Sequence, residues 1–276
     1  MVKGGSSLEQ ARIQIRLTGK QFFVLTGITG AKAVVGLEDP FRGTLAEEMP
    51  AEVARIEQEL EEAGYIRLVD GEPELVPQLL EYIEICSRAL LTIHLAVDDK
   101  QLVVDDKQRS RSSECFFYYS ADAVVKAELK YIDHMLMYEL EEIGTPAEAW
   151  MKIMSSLNLQ ERPKRCPEQL KLPKGKLWQW LNGEQEASGA AQTLRKEGSS
   201  EQAVTRLAEA VKAPESYSAF TAYYRLQHDW RVEGIELLRG REANWVVRPD
   251  DRHDQIREAS VMEIVRELGD VISRIK

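Results

Sequence analysis

The residues best suited to chemistry form one short cluster near the end of the chain. Asp250, Asp251, His253 and Asp254 bring three carboxylates and an imidazole together. Oxygen-rich turns of this kind hold hard cations such as Ca²⁺ in many proteins. The cluster lies between a predicted strand and a predicted helix, where a solvated charged turn is the expected structure. We therefore expect no metal site. For an enzyme, the best support would be a pocket in the folded protein that gathered His253 with these aspartates.

The other histidines and the cysteines show no spacing typical of a catalytic or metal site. No HxH, HExxH or His–Cys pattern surrounds any of them, and no CxxC pair is present. The residues concerned are His94, His134, His228, Cys86, Cys115 and Cys166. A triad can assemble from distant positions, but Cys86 and Cys115 occupy apolar positions of a predicted helix and a predicted strand. We expect reduced structural thiols, no enzymatic activity and no cofactor.

Charge and hydropathy restrict the class of partner. The 276 residues include 36 basic and 46 acidic side chains, for a formal charge of −10. A protein that binds phosphate backbones usually has the opposite balance, so we expect no nucleic-acid partner. No apolar stretch is long enough to span a bilayer, and the N-terminus lacks the order of a signal peptide. The sequence predicts a cytoplasmic protein without membrane insertion.

The elements that would position a site begin with a segment patterned like a winged helix. Apolar spacing predicts a helix over residues 50–63, followed by a strand at 65–69 and a tight turn at Asp70-Gly71. This order favours an alternative function, a winged-helix transcriptional regulator with a ligand-sensing C-terminal domain. Between positions 46 and 63, however, there are seven glutamates and one basic residue, Arg55. That charge is the wrong sign for a helix in the major groove.

The rest of the chain repeats one order of elements: a helix, several antiparallel strands and a capped helix. Thr145 with Glu148 and Ser260 with Glu263 form capping boxes that open the last helix of each repeat. The sequence therefore predicts an α+β fold, with a central antiparallel sheet flanked by helices in two quasi-twofold-related halves. We expect an N-terminal half over 1–158, a linker or insertion over 159–199 and a C-terminal half over 200–276, within one compact domain.

Four stretches, taken in order, resemble the EspG family of cytosolic chaperones of type VII (ESX) secretion. They are residues 17–23, residues 56–80, residues 115–150 and residues 244–259 with the helix that follows. Each stretch is short and apolar, and their order over most of the chain carries the resemblance. It implies a central antiparallel sheet with quasi-twofold halves, no catalysis, and binding of a helical secretion substrate in the cytosol until export.

The resemblance also implies a partner, which in the family is a PE–PPE pair. Because this chain is rich in Lys and Glu, a WXG100-like or LXG-type protein is an alternative partner. An exposed loop between strands is a natural place for recognition, and its candidate residues are Asp106, Lys107, Gln108, Arg109 and Arg111. Trp178 and Trp180 are a second candidate, because aromatic side chains often anchor interfaces. A solvated hairpin loop and two core-packed rings are the respective alternatives.

Overall fold

The computed structural model describes residues 14–31, 33–99, 111–183, 187–227 and 229–273, with the main chain alone at 111, 187 and 188. The chain divides into two compact units. Unit 1 consists of residues 1–88 and 118–146, and unit 2 of residues 89–117 and 147–276. These boundaries differ from the predicted halves, because each unit collects residues from two separate parts of the sequence.

Seven strands and four helices follow one another in the described residues between 14 and 157. In chain order they are β1 (Ile15–Thr18), α1 (Gly19–Ile28), α2 (Met49–Glu62), β2 (Ile66–Val69), β3 (Glu72–Leu75), α3 (Pro77–Arg88), β4 (Leu91–Asp99), β5 (Arg111–Tyr119), β6 (Val124–Ile132), β7 (Met135–Gly144) and α4 (Pro146–Leu157). Thr18 ends β1 and caps α1, since its hydroxyl accepts the Gln21 N–H at 3.2 Å and the Gln21 side chain accepts the Thr18 N–H at 3.0 Å.

The described residues after 157 form five strands and four helices. In chain order they are β8 (Gln169–Pro173), α5 (Lys176–Leu181), α6 (Ala187–Lys196), α7 (Glu201–Lys212), β9 (Ser216–Arg225), β10 (Trp230–Arg239), β11 (Asn244–Pro249), β12 (His253–Glu258) and α8 (Val261–Ser273). The predicted capping box before α8 is confirmed. The Glu263 carboxylate accepts the Ser260 N–H at 2.9 Å, and the Ser260 hydroxyl accepts the Glu263 N–H at 3.3 Å.

Ten strands form one antiparallel sheet in the order β1-β7-β6-β5-β4-β9-β10-β11-β12-β8. Strands β4 and β9 form the central pair. From β4 the sheet continues through β5, β6 and β7 to β1 at one edge, and from β9 it continues through β10, β11 and β12 to β8 at the other. In chain order, α3-β4-β5-β6-β7-α4 corresponds to α7-β9-β10-β11-β12-α8. The predicted α+β class and its two related halves are confirmed.

Unit 1 contains the winged-helix-like segment. After α2, strands β2 and β3 pair as a hairpin whose turn residues, Asp70 and Gly71, have φ of 52° and 87°. Positive φ at both turn positions is the geometry of a two-residue hairpin. The Tyr65 hydroxyl lies 3.3 Å from the backbone N and O of Arg16 and so covers the outer edge of β1. The segment is built as the sequence predicts.

Segment 159–199, for which a linker or an insertion is predicted, has secondary structure of its own. It contains β8, which pairs with β12, and the helices α5 and α6. Ala190, Ala191 and Leu194 are buried in one core with residues of α5, α7, β11 and β12. Composition suggested a linker because Gly, Ser, Lys and Glu dominate the segment. The three buried residues nevertheless recur at helical spacing, and their burial holds α6 in the core.

Strand β12 occupies the place where the sequence predicts a solvated charged turn. Its inward residues are Asp254, Ile256 and Glu258, and the two carboxylates obscure the usual alternation of apolar and polar residues. Asp254 accepts the Gly175 N–H at 2.9 Å before α5. The turn itself is closed by Asp250, which accepts the N–H groups of Arg252 and His253. Within the described residues, no group of three His, Cys, Asp or Glu side chains could hold a metal ion.

Candidate functional site

Strand β9 and residues 93–98 of strand β4 have one buried face and one half-buried face in unit 2. On β9 the buried residues are Ser216, Ser218, Phe220, Ala222 and Tyr224, and those between them are half-buried. On β4, Ile93, Leu95 and Val97 are buried, whereas His94, Ala96 and Asp98 are half-buried. Successive side chains of a strand point to opposite faces. The sheet is therefore well covered on one face here and incompletely covered on the other.

Helix α8 and the chain after α4 lie against the covered face. The Tyr224 hydroxyl donates to the Val271 carbonyl of α8. Arg248 forms an ion pair with Glu267 of α8 at 2.9 Å. The buried Arg239 guanidinium donates to the carbonyl of Asn158, directly after α4. These contacts fix which face of the central strands is unavailable to a partner.

We call the opposite side the open face. It consists of His94, Ala96 and Asp98 on β4, of Tyr217, Ala219, Thr221 and Tyr223 on β9, and of Val232, Gly234 and Glu236 on β10. The strand register places these side chains in rows. His94, Thr221 and Gly234 form one row, and Ala96, Ala219 and Glu236 form the next. Residues in register across antiparallel strands share a face.

The floor of the open face is made of small side chains. Ala96, Ala219, Thr221 and Gly234 are neighbours in its two middle rows. A Cβ added to Gly234 would meet nothing closer than Thr221 Oγ1 at 3.8 Å. Three adjacent strands span about 10 Å, which is the diameter of an α-helix with its side chains. The floor is therefore shallow and wide enough for one helix end.

His94 stands at the border of this floor with fixed neighbours. Its ring stacks on Phe116 of β5, with ring centroids 4.5 Å apart and planes 10° from parallel. Its Nε2 lies 2.9 Å from a carboxylate oxygen of Glu114, also on β5. An aromatic platform and a hydrogen bond together hold the imidazole in one orientation. Glu114 thereby brings an exposed carboxylate to this border.

Tyr217 and Glu236 form the border near α5. The Tyr217 hydroxyl donates to the Glu236 carboxylate. Burial raises the pKa of Glu236, and the charge of nearby Asp254 raises it further against the opposing effect of the Tyr217 hydrogen bond. The Trp178 ring lies 5.3 Å from the Tyr217 ring, and half of Trp178 is exposed. This border therefore combines a half-exposed indole, a half-buried phenol and a carboxylate.

The two predicted tryptophans have different environments. Trp178 extends the open face through Tyr217, as described above. Trp180 is 5% exposed and belongs to the core formed by α5, α6 and α7. It also lines a cavity of about 540 Å³ with Leu181, Ala191 and Val204. Trp178 is thus positioned to contact a partner. Trp180 packs in the core, which is the alternative that the sequence analysis gives for both rings.

The predicted loop lies almost entirely outside the described residues. Asp106, Lys107, Gln108 and Arg109 belong to the segment between β4 and β5 that the structure leaves undescribed. Arg111 is the first residue of β5, and its main chain alone is described. The predicted role of these five residues therefore remains a prediction.

Sequence reasoning missed the open face itself. A signal was present in β9, where Tyr217, Ala219, Thr221 and Tyr223 alternate with Ser, Phe, Ala and Tyr. Both sets have intermediate polarity, so periodicity alone does not tell which one a helix covers. The face became visible only through the strand register and the contacts of α8.

The buried carboxylates of unit 2 hold segments together. Glu258 is fully buried, accepts the N–H groups of Arg165 and Cys166 at 2.8 and 2.9 Å, and pairs with Arg206 at 2.5 Å. Asp254 accepts the Gly175 N–H. The Glu258 carboxylate, with three partners, therefore ties β12 to other segments, and Asp254 ties it to the start of α5. No described helix is long and apolar enough to cross a membrane.

No protein-family model matches the chain, and no curated protein matches its sequence. The fold is one found in chaperones of type VII secretion. One solved structure that shares it is the Mycobacterium tuberculosis type VII secretion system chaperone EspG5 in complex with a PE25–PPE41 dimer. The TM-score is 0.59 at 14% identity, over 94% of this chain and 96% of that chain. At this identity the likeness shows an EspG-like fold.

A second solved structure is far less similar. Full-length peroxisomal multifunctional enzyme type 2 from Drosophila melanogaster has a TM-score of 0.16 at 10% identity, over 89% of this chain and 48% of that chain. That TM-score is too low to carry an argument about fold or activity.

Proposed function

We propose that this protein is a non-enzymatic, chaperone-like adaptor that holds a helical type VII secretion substrate in the cytosol. The observation that carries the proposal is the open face, a partly covered sheet surface with a floor of small residues and aromatic borders. Its width suits a helix end. The EspG-like fold adds support, because EspG5 was solved in complex with a PE25–PPE41 dimer.

The partner we propose is a helical secreted protein of the PE–PPE, WXG100 or LXG-like kind. We expect such a partner to present the end of a helix, which fits a shallow floor better than an extended peptide would. The unpaired edges of the sheet are less suitable for a peptide. β8 is five residues long and contains Lys171 and Pro173, while Tyr65 covers β1. Short, charged and covered edges disfavour strand addition.

A role in binding fits the chemistry of the open face better than catalysis. Its ionisable groups include His94, Asp98, Tyr217 and Glu236, with Glu114 beside them. Tyr217 already donates to Glu236, and His94 is bonded to Glu114. The proposal therefore includes no cofactor and no reaction.

A second candidate, a winged-helix regulator, has one observation in its favour. Helix α2 and the β2–β3 hairpin follow each other in unit 1 as a recognition helix and wing would. The basic residue of α2, Arg55, is paired with Glu52 and Glu59 of the same helix. A helix whose one cation is neutralised, among exposed glutamates, would be repelled by phosphates.

The proposal is tested by capture from the native host with a matched pair of variants. Ala219→Arg fills the floor of the open face, and Ala54→Arg places the same side chain on exposed α2. Wild type and Ala54→Arg should capture the same helical secreted protein at about one-to-one, and Ala219→Arg should lose it. Capture of DNA fragments or RNA polymerase, or a helical partner unaffected by Ala219→Arg, would contradict the proposal.

A further inference from the structure

Among the residues that the structure describes, the open face carries an excess of negative charge. Asp98, Glu114 and Glu236 lie on it or at its border. A cation on the same face, Arg225, stands at the far end of β9, where its guanidinium lies 4.9 Å from the Trp230 ring. Among the described residues, the buried Oδ1 of Asp98 has no hydrogen-bond partner. Three carboxylates thus surround a neutral floor.

We propose that the open face recognises its helical partner through arginine or lysine side chains at the end of the partner helix, one received by Glu236 and one by Glu114. Glu236 is in register with Ala96 and Ala219, so a long side chain lying over these alanines reaches it directly. The inference rests on the proposed function and adds the chemistry of the partner.

The aromatic side chains at the borders of the open face also favour binding of a cation. Tyr217 holds the Glu236 carboxylate in place, and Trp178 adds an exposed aromatic face beside it. A guanidinium binds a fixed carboxylate and stacks on an aromatic ring in one arrangement. Because Glu236 is half-buried, its pairing with a cation is screened less than a pair on the open surface.

The same charges argue against a second copy of this chain as the occupant. In a symmetric dimer the open face would meet itself. Glu236, Glu114 and Asp98 of one copy would then approach the same carboxylates of the other, and like charges across an interface are repulsive. An acidic helix end is disfavoured for the same reason.

The test uses three designed helical hairpins that differ only at the loop end, which carries two arginines, two glutamines or two glutamates. Binding is followed by the amide NMR signals of Ala96, Ala219 and Gly234 at low and at high salt. The arginine hairpin should shift these signals and bind at least about fivefold more tightly than the glutamine hairpin. The glutamate hairpin should leave the signals unchanged, and high salt should reduce the preference for arginine.

Two double variants separate a local contact from net charge. Glu114→Gln with Glu236→Gln removes the proposed contacts while keeping side-chain size and an acceptor for Tyr217. Glu61→Gln with Glu62→Gln makes the same charge change at the exposed end of α2. The preference for arginine should disappear in the first pair and persist in the second. Thermal melts establish that both pairs fold.

Failure of this inference and failure of the proposed function give different experimental results. Equal binding of the arginine and glutamine hairpins, no shift with the arginine hairpin, or a preference that survives in the Glu114→Gln, Glu236→Gln variant would overturn this inference. The proposed function would still stand if native capture yielded a helical secreted protein that Ala219→Arg abolishes. Conversely, a preference for arginine at the open face without any such captured protein would remove the proposed function alone.

Discussion

At the scale of single residues, Glu258 shows how unit 2 uses a buried charge. Its carboxylate joins the end of β12 to the backbone at Arg165 and Cys166 and to Arg206 of α7. The Glu258 side chain is 0% exposed and that of Arg206 is 11% exposed. Removing one member of such a pair leaves the other as a buried charge without compensation. Glu258 is therefore essential to the position of α7.

Glu258→Ala should lower the free energy of unfolding by about 3–5 kcal/mol, because it leaves two backbone N–H groups without their acceptor and Arg206 with only its longer contact to the exposed Glu242. Urea unfolding measures the change. Glu242→Ala is the matched control, since Glu242 also faces Arg206, at 3.5 Å, but is 62% exposed; its effect should stay within about 0.5 kcal/mol. Equal effects of the two substitutions would show that burial is irrelevant here.

Glu236 should make stability depend on pH. Burial raises its pKa in the folded protein above the ordinary value of 4.5, so the folded state binds its proton more tightly than the unfolded chain does. Ionising Glu236 then costs stability as the pH rises above 4.5. Glu236→Gln should melt higher than wild type at neutral pH, with the difference vanishing below pH 4.5. A difference independent of pH would contradict the raised pKa.

At the scale of elements, Gly240 sets how closely the β10–β11 turn approaches α7. A Cβ at this position would stand 2.7 Å from Ala210 Cβ of α7. Gly269 lies inside α8, and a Cβ there would meet nothing within 4 Å. Packing against α7 therefore requires a glycine at position 240. The glycine at position 269 only lowers the stability of α8.

Gly240→Ala should destabilise the protein by about 1–3 kcal/mol through the clash with α7. Gly269→Ala should instead stabilise it by about 0.5–1 kcal/mol, because alanine is the better helix former. Chemical denaturation of the two variants beside wild type measures both changes. Two changes of the same sign would contradict the close approach of this turn to α7.

The elements also show what a sequence can reveal. Helix caps are local, so Thr18, Ser200 and Ser260 mark the starts of α1, α7 and α8 in the sequence as they do in the structure. β12 and α6 were missed for tertiary reasons. The carboxylates facing inward on β12 are satisfied by Arg206 and by backbone groups distant in sequence. Helix α6 is held by a core that also contains residues of β8, α5, α7, β10, β11 and β12.

At the scale of the whole molecule, the order of elements was predictable and the binding surface was not. Two repeats of helix, strands and capped helix indicate an antiparallel sheet with related halves. Which face of β4 and β9 a helix covers depends on where the chain places α8, and no local pattern encodes that. Trp178 was predicted as a contact residue and lies beside the open face, whereas its neighbour Trp180 is buried.

The central claim is that a helical secreted protein binds on the open face, and protection of a single thiol in the purified complex tests it most directly. The native cysteines Cys86, Cys115 and Cys166 are all buried, so an introduced thiol gives the main alkylation signal. Thr221→Cys reports on the open face and Ala54→Cys on α2. The partner should slow alkylation strongly at position 221 and leave position 54 unchanged. Protection at position 54 alone, or none at 221 in a stable complex, would contradict the account.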